Sequence, residues 1–284
     1  MSILTTKDTP TGWSPDVVSH LPSDVVPQAL IERCATQTGT VDGDATFARV
    51  TYVRDSGEVG TGAVVTDEGD VIAEETPDLA ELDVKTKAIT RMVTVSQDQY
   101  NKAPTATALA NSFAKDLIRK ADQVFLNAND APLTGLRNLP GVVTADAAIT
   151  SDLGPLTRLL AKLERNGASP SAIICDPESW AQIRDLRVAA GYNQTLLGSA
   201  GDGADDKLLG LPVYRSPFVE VGEALVIDRS EIISASSQIE IAVSDQHAFD
   251  RRGITLRAWW RIGWGCPRPE RLGRIAVTLP KSGK

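Results

Sequence analysis

Catalysis at neutral pH usually needs an imidazole, an activated thiol, a bound metal or a carboxylate pair in a special environment. This chain offers little of that. It has two histidines, His20 in a proline-rich opening segment and His247 in what reads as a polar turn. Cys34, Cys175 and Cys266 are far apart, odd in number and outside any metal-ligand spacing, which fits reduced thiols. Neither residue type builds a zinc-type site. The signatures G-x-S-x-G, H-E-x-x-H and G-x-x-x-x-G-K-[ST] are absent. Gly57, Gly60 and Gly62 superficially resemble a phosphate loop, but the spacing differs, acids flank them and no helix follows. Asp202, Asp205 and Asp206 would suit a hard cation, yet the EF-hand pattern is missing and a polar loop explains them. Trp259 and Trp260 on a predicted strand, with Trp264 just beyond it, could line a ligand pocket but read as core or interface anchors. The expectation is no catalytic residue, no cofactor and no metal.

What the sequence does carry is charge in blocks. From Thr46 to Val84 the acids are Asp55, Glu58, Asp67, Glu68, Asp70, Glu74, Glu75, Asp78, Glu81 and Asp83, against Arg49 and Arg54. Near the end, Arg251, Arg252, Arg257, Arg261, Arg268, Arg271 and Arg274 run with Glu270 as the one acid among them. Arg257 and Arg261 are two alternation steps apart on a predicted strand and so share a face. The acidic block suits a basic partner surface, and the arginines suit carboxylates in bidentate geometry. A net charge of -8 argues against a general grip on nucleic acid.

The elements that must present these charges follow from pattern. Residues 1–45 read as an arm, broken by Pro10, Pro15, Pro22 and Pro27, with a short helix through Leu30 and Ile31 and a loop from Thr36 to Asp44. Such an arm is expected to be disordered or to lie on a neighbour. Residues 46–76 read as a β-hairpin with too few apolar side chains to hold a core. Alternation from Leu82 to Val95 predicts one strand. The stripe Leu109, Phe113, Leu117, Ala121 and Val124 predicts an amphipathic helix over 105–126, about 33 Å long. Residues 129–244 predict helices on a mostly antiparallel sheet. Helix 151–166 stops at Asn166-Gly167, and strand 171–175 is followed by Asp176-Pro177 as a helix start. The strands 239–243, 254–262 and 274–279 close the chain.

Several stretches, in this order, resemble the major capsid protein of tailed bacteriophages, the Hong Kong 97-type fold. Glu74-Glu75-Thr76-Pro77-Asp78 with Leu82-Asp83-Val84-Lys85-Thr86-Lys87 is similar to the family's return from its extended loop. Val93-Thr94-Val95-Ser96 resembles the approach to its spine helix, and Asp176-Pro177-Glu178-Ser179-Trp180 a helix start in its central domain. Leu208-Leu209-Gly210-Leu211-Pro212-Val213 with Ala224-Leu225-Val226-Ile227-Asp228 resembles a pairing near that domain's end. The likeness covers nearly the whole chain beyond the arm.

The resemblance implies an α+β capsid-type fold. It assigns 1–45 as the N-terminal arm, 46–76 as the extended β-hairpin loop, 77–128 with 245–284 as a peripheral domain holding spine helix 105–126, and 129–244 as an axial domain. It implies a non-enzymatic major capsid protein that assembles into hexamers and pentamers of an icosahedral head. That head encloses double-stranded DNA without sequence-specific binding, and no membrane is involved. The expected location is the virion, after assembly in the host cytoplasm. Subunit-interface candidates are Asp67, Glu68, Asp70, Glu74 and Glu75 on the hairpin, and Arg251, Arg252, Arg257, Arg261 and Arg268 on the tail. Some family members join hairpin lysine to a neighbour's asparagine. No lysine lies between Ala45 and Val84, so no such isopeptide is expected and cohesion falls to non-covalent contacts or a separate cement protein. Separate scaffolding and portal proteins are the further expected partners. An encapsulin-type compartment, or an unrelated cytosolic α+β enzyme, are the alternatives.

Overall fold

The helix expected at 105–126 spans Ala103–Asn127, and the rest of the subunit is placed against it. The computed structural model describes residues 17–40, 47–53, 65–68, 79–129, 131–187 and 206–279. The opening segment forms strand β1 (Val17–His20), short helices α1 (Pro22–Val25) and α2 (Leu30–Cys34), and strand β2 (Thr36–Thr40). Next come β3 (Phe47–Val53), β4 (Leu79–Lys85), β5 (Lys87–Ser96), the single turn α3 (Gln97–Tyr100) and the long helix α4 (Ala103–Asn127). Beyond it lie β6 (Val143–Thr144), α5 (Gly154–Arg165), β7 (Ala172–Cys175), α6 (Pro177–Arg184), β8 (Lys207–Leu208), β9 (Leu211–Arg215) and β10 (Glu223–Ile227). Strands β11 (Ile233–Ser236), β12 (Ile239–Ala248), β13 (Gly253–Gly265) and β14 (Gly273–Ala276) complete the described chain.

Alanine-rich sequence with Pro104 in the first turn favours α4 locally. Its placement comes from packing. Phe113, Leu117, Ala121 and Phe125 recur every four residues and are buried, with Leu109 and Val124 half-buried beside them. They cover one face of a six-stranded sheet ordered β1-β12-β13-β11-β2, with β5 on the other side of β13. The thirteen residues of β13 alternate between two environments. Leu256, Ala258, Trp260, Ile262 and Trp264 point at α4 and are buried. Phe125 meets Trp264 edge to face at 5.2 Å, and Trp264 Nε1 donates to the carbonyl of Thr134 at 2.8 Å. Each such large side chain contributes about 1.5–3 kcal/mol by burial.

The run expected as one strand from Leu82 to Val95 is two strands in two sheets. Strand β5 pairs with β13 along ten residues, whereas β4 pairs with β3 in a separate two-stranded ribbon. The break is at Thr86, which is buried and accepts Arg261 Nε at its hydroxyl (3.1 Å), with Arg261 also reaching its carbonyl (3.4 Å). Strand β4 then crosses over β13 on the face away from α4. Gly263 makes the crossing possible, because a Cβ there would stand 2.2 Å from the Lys85 carbonyl oxygen. Alternation shows which residues share a face but not which strand they pair with.

The arm also departs from expectation. Within residues 17–40 the chain lies on its own subunit rather than on a neighbour. Val26, Ala29, Leu30, Ile31, Cys34 and Ala35 are buried in the core under α4. Thr36–Thr40, expected as loop, is an edge strand parallel to β11. It carries no apolar alternation; backbone pairing makes it a strand, helped by Gln37 Nε2 donating to Ser236 Oγ at 3.2 Å and Thr36 Oγ1 to the Arg229 carbonyl at 2.9 Å. Two charged side chains hold the ends of α2. Asp122 of α4 accepts the Leu30 N–H at 2.7 Å, and Arg229 donates to the carbonyls of Ala35 (3.1 Å) and Glu32 (3.4 Å). Both placements complement the helix dipole.

A second six-stranded sheet runs β6-β14-β10-β7-β9-β8. It is mostly antiparallel, as expected, through β14–β10, β10–β7 and β9–β8, with two parallel pairings, β7 with β9 and β14 with β6. Leu156, Leu159 and Leu163 of α5 and Trp180 and Ile183 of α6 bury against it. Asp176 caps α6 by accepting from Glu178 N (2.9 Å) and Ser179 N (3.0 Å). The division at 244/245 does not follow the sheets: β11 and β12 belong to the first sheet, and β14, from the tail, to the second. His247 lies in β12 and is exposed, not in a turn. Asp206 pairs with Arg215 at 2.6 Å, while Asp202, Asp205 and the Gly57–Gly62 stretch fall outside the described residues. Among the described residues no helix is long and apolar enough to cross a membrane.

Candidate subunit-interface surfaces

The seven tail arginines, grouped by sequence, separate in space. Arg268 and Arg271 both serve Glu231, at 3.1 and 2.6 Å, and Glu231 is buried. Arg274 reaches Glu223 at 3.4 Å, and Glu223 also takes Arg137 at 2.6 Å. Arg137 in turn pairs with Glu220. Removing one partner of such a buried pair is costly, so these arginines belong to the subunit's own structure. Arg268, expected at a subunit interface, is therefore committed within its chain. The acids that hold the three lie far back in sequence, which is why the local run looked unpaired.

The other four lie on or beside the face of the first sheet that α4 leaves open. Register places Thr94, Thr255 and Ser244 in one row, and Met92, Arg257 and Ala242 in the next. Thr90, Trp259 and Glu240 follow, then Ala88 and Arg261. Arg261 lies over Trp259, 5.7 Å from the ring centroid, and is tied to Thr86, so it is half-buried and fixed. Arg257 is exposed and forms no ion pair with a described residue, and Met92 beside it is 58% exposed. The β12–β13 turn carries Arg251 and Arg252. Arg251 pairs loosely with Asp250 at 3.5 Å, both side chains being highly exposed, an arrangement worth about 0–1 kcal/mol. Arg252 takes a left-handed conformation (φ 49) and its carbonyl accepts from Gln97 N at 2.9 Å, which ties the turn to the end of β5. Phe249 in the same turn is 81% exposed. Sequence reading missed it, and a lone aromatic in a polar stretch just before Asp250-Arg251-Arg252 was the available signal.

On the ribbon, Arg49 of β3 answers Asp83 (3.0 Å) and Glu81 (3.3 Å) across the pair. Asp67 and Glu68 are exposed; Asp70, Glu74 and Glu75 lie outside the described residues. The structure thus brings no hairpin acid onto a tail arginine within the described residues of one subunit. The thiols offer no chemistry in exchange. Burial pushes Cys175 and Cys266 up to about 12 and Cys34 higher still, so all three stay protonated.

A long helix laid on a sheet, a two-stranded ribbon leaving that sheet, and a second α+β lobe define a Hong Kong 97-type capsid fold. Solved structures agree. The capsid of an empty GTA particle aligns over 88% of this chain and 90% of its own, with TM-score 0.67 and 16% identity. The Microbacterium phage Oxtober96 structure covers 98% and 100% (TM-score 0.69, 13% identity), and that of Mycobacterium phage Adephagia 99% and 99% (0.64, 14%). No curated protein matches the sequence. The phage capsid family model matches residues 28–274, and the chain belongs to that family. It is a major capsid protein of icosahedral phage shells, a structural protein and not an enzyme.

Proposed function

We propose that this subunit closes its shell by laying the 46–76 hairpin over a neighbour, within hexamers and pentamers that enclose double-stranded DNA without reading its sequence. The observation that carries this is the ribbon. Strands β3 and β4 pair with each other over seven residues and join neither six-stranded sheet. A two-stranded ribbon is marginal by itself in water and gains stability by docking, as its base does where Val84, Leu82, Val50 and Ala48 pack on Ile233 and Ala235 of the same subunit. The surface proposed to receive it is the open sheet face and its adjoining turn, with Arg257, Arg251 and Arg252 as cations for Asp67, Glu68, Asp70, Glu74 and Glu75. The lobe holding α4 serves as the peripheral domain and the lobe built on β7, β9 and β10 as the axial domain. Assembly takes place in the host cytoplasm with separate scaffolding and portal proteins, and a cement protein where one is used. With no lysine on the hairpin, no isopeptide forms.

Negative-stain microscopy of the purified chain should show shells, tubes or capsomer rings. Intact shells boiled in denaturant should run as monomer alone. Covalent ladders on the gel, or a monodisperse monomer that never assembles, would sink the reading.

A further inference from the structure

The side of α4 turned away from its sheet presents Asn111, Lys115 and Arg119, with Lys120 and Gln123 on the flank beside β5, all exposed. The helix holds two acids between Phe113 and Phe125, and neither neutralises this stripe. Asp116 is paired with Arg91, which rises from β5 beneath the helix, and Asp122 is turned under α2, onto the Leu30 amide. Lys120 donates to Gln123 at 3.2 Å, and Lys115 and Arg119 form no ion pair with a described residue. A chain of net charge -8 therefore exposes three cations in six residues on its longest helix. Lys115 and Arg119 are one turn apart, where like charges repel and an anion spanning both would relieve the repulsion.

The stripe is also on the opposite side of the subunit from the ribbon. Residues 257, 259, 261, 263 and 265 share one face of β13, and β4 crosses there, with Leu82 against Gly265 and Val84 among Ile233 and Ala235. Helix α4 covers the other face. In a shell one subunit thick, the ribbon and Arg257 occupy one surface and the α4 stripe the other.

Resting on the reading that the shell encloses duplex DNA, we infer that the α4 stripe is the inward surface, and that Lys115, Arg119 and Lys120 contact DNA phosphates. The contact is electrostatic and blind to sequence. Up to three phosphates per subunit give weak binding singly, and repetition around the shell makes it cumulative. The overall acidity of the chain then confines the attraction to this stripe and keeps the DNA from being gripped more widely.

The test uses the full-length chain before assembly and a fluorescent random-sequence duplex. The variant K115Q/R119Q/K120Q changes only exposed helix positions. Its affinity at about 50 mM salt should fall at least tenfold, and its slope of log K against log salt should shrink by about 2–3. R257Q, on the opposite face, should bind DNA as the parent does, and both variants should keep the parent's melting temperature. Equal binding by parent and triple variant, no binding by the parent, or equal loss in R257Q would each overturn the inference. So would loss, in the triple variant, of binding to a synthetic peptide of residues 54–78 rather than to DNA, which makes the stripe a subunit contact. Microscopy separates this from the shell reading: a parent that forms shells leaves that reading intact whichever way DNA binding falls.

Discussion

Two acidic side chains show how differently a carboxylate can serve this subunit. Asp122 is half-buried under α2 with only the Leu30 amide and the nearby charge of Arg33 to offset desolvation, and its pKa rises from 3.8 to about 6. A folded pKa above the unfolded one means the native state favours the proton. The stabilising contribution is whole below about pH 4 and is lost as pH rises through about 6. Asp122→Asn keeps an oxygen for Leu30 N and removes the half-buried charge. It should raise stability at pH 8 by about 1–3 kcal/mol and change little at pH 4, read as melting temperature against pH. Glu231 is the converse case. It is buried but satisfied by Arg268 and Arg271. Glu231→Ala strands two guanidinium groups and should cost about 2–4 kcal/mol in urea unfolding. A loss below 1 kcal/mol would mean water replaces the carboxylate easily.

At the scale of elements, β4 depends on its crossing of β13. A methyl at Gly263 meets the Lys85 carbonyl, so Gly263→Ala must lift β4 or bend β13. The expected result is a loss of about 1–3 kcal/mol, with faster amide exchange concentrated in Leu79–Lys85. Uniform loosening of the whole sheet would contradict the local crossing. This junction also marks where the sequence stopped being legible. Helix α4, the α6 cap at Asp176 and strands β7, β10 and β13 were readable because period, cap and burial agree in each. The edge strand β2 was not, because Thr36–Thr40 is polar and held by backbone pairing to a strand almost two hundred residues away. The arginine surface was half legible. Arg257 and Arg261 share the face that alternation assigns, but Arg268, Arg271 and Arg274 are claimed by Glu231 and Glu223, which local charge counting does not see.

For the whole molecule, the division of arginines between internal and free roles makes assembly separable from folding. The side chains of Arg251, Arg252 and Arg257 are exposed and, apart from the loose Arg251–Asp250 pair, form no ion pair with a described residue of their own subunit. Replacing all three with Gln should therefore leave subunit stability within about 0.5 kcal/mol. Their partners are proposed to be carboxylates on a neighbour's hairpin, between subunits that each carry -8 and repel one another. Assembly of the parent chain should weaken as salt rises from about 0.1 M to 1 M, where the screening length shrinks from about 10 Å to 3 Å. The triple variant should assemble poorly already at the low end and show little further salt dependence, measured by sedimentation alongside melting curves. Unchanged assembly with unchanged melting would place the hairpin on some other surface of the neighbour. Lost melting temperature would instead return these arginines to the subunit's own core of interactions, leaving the ribbon without its proposed receptor.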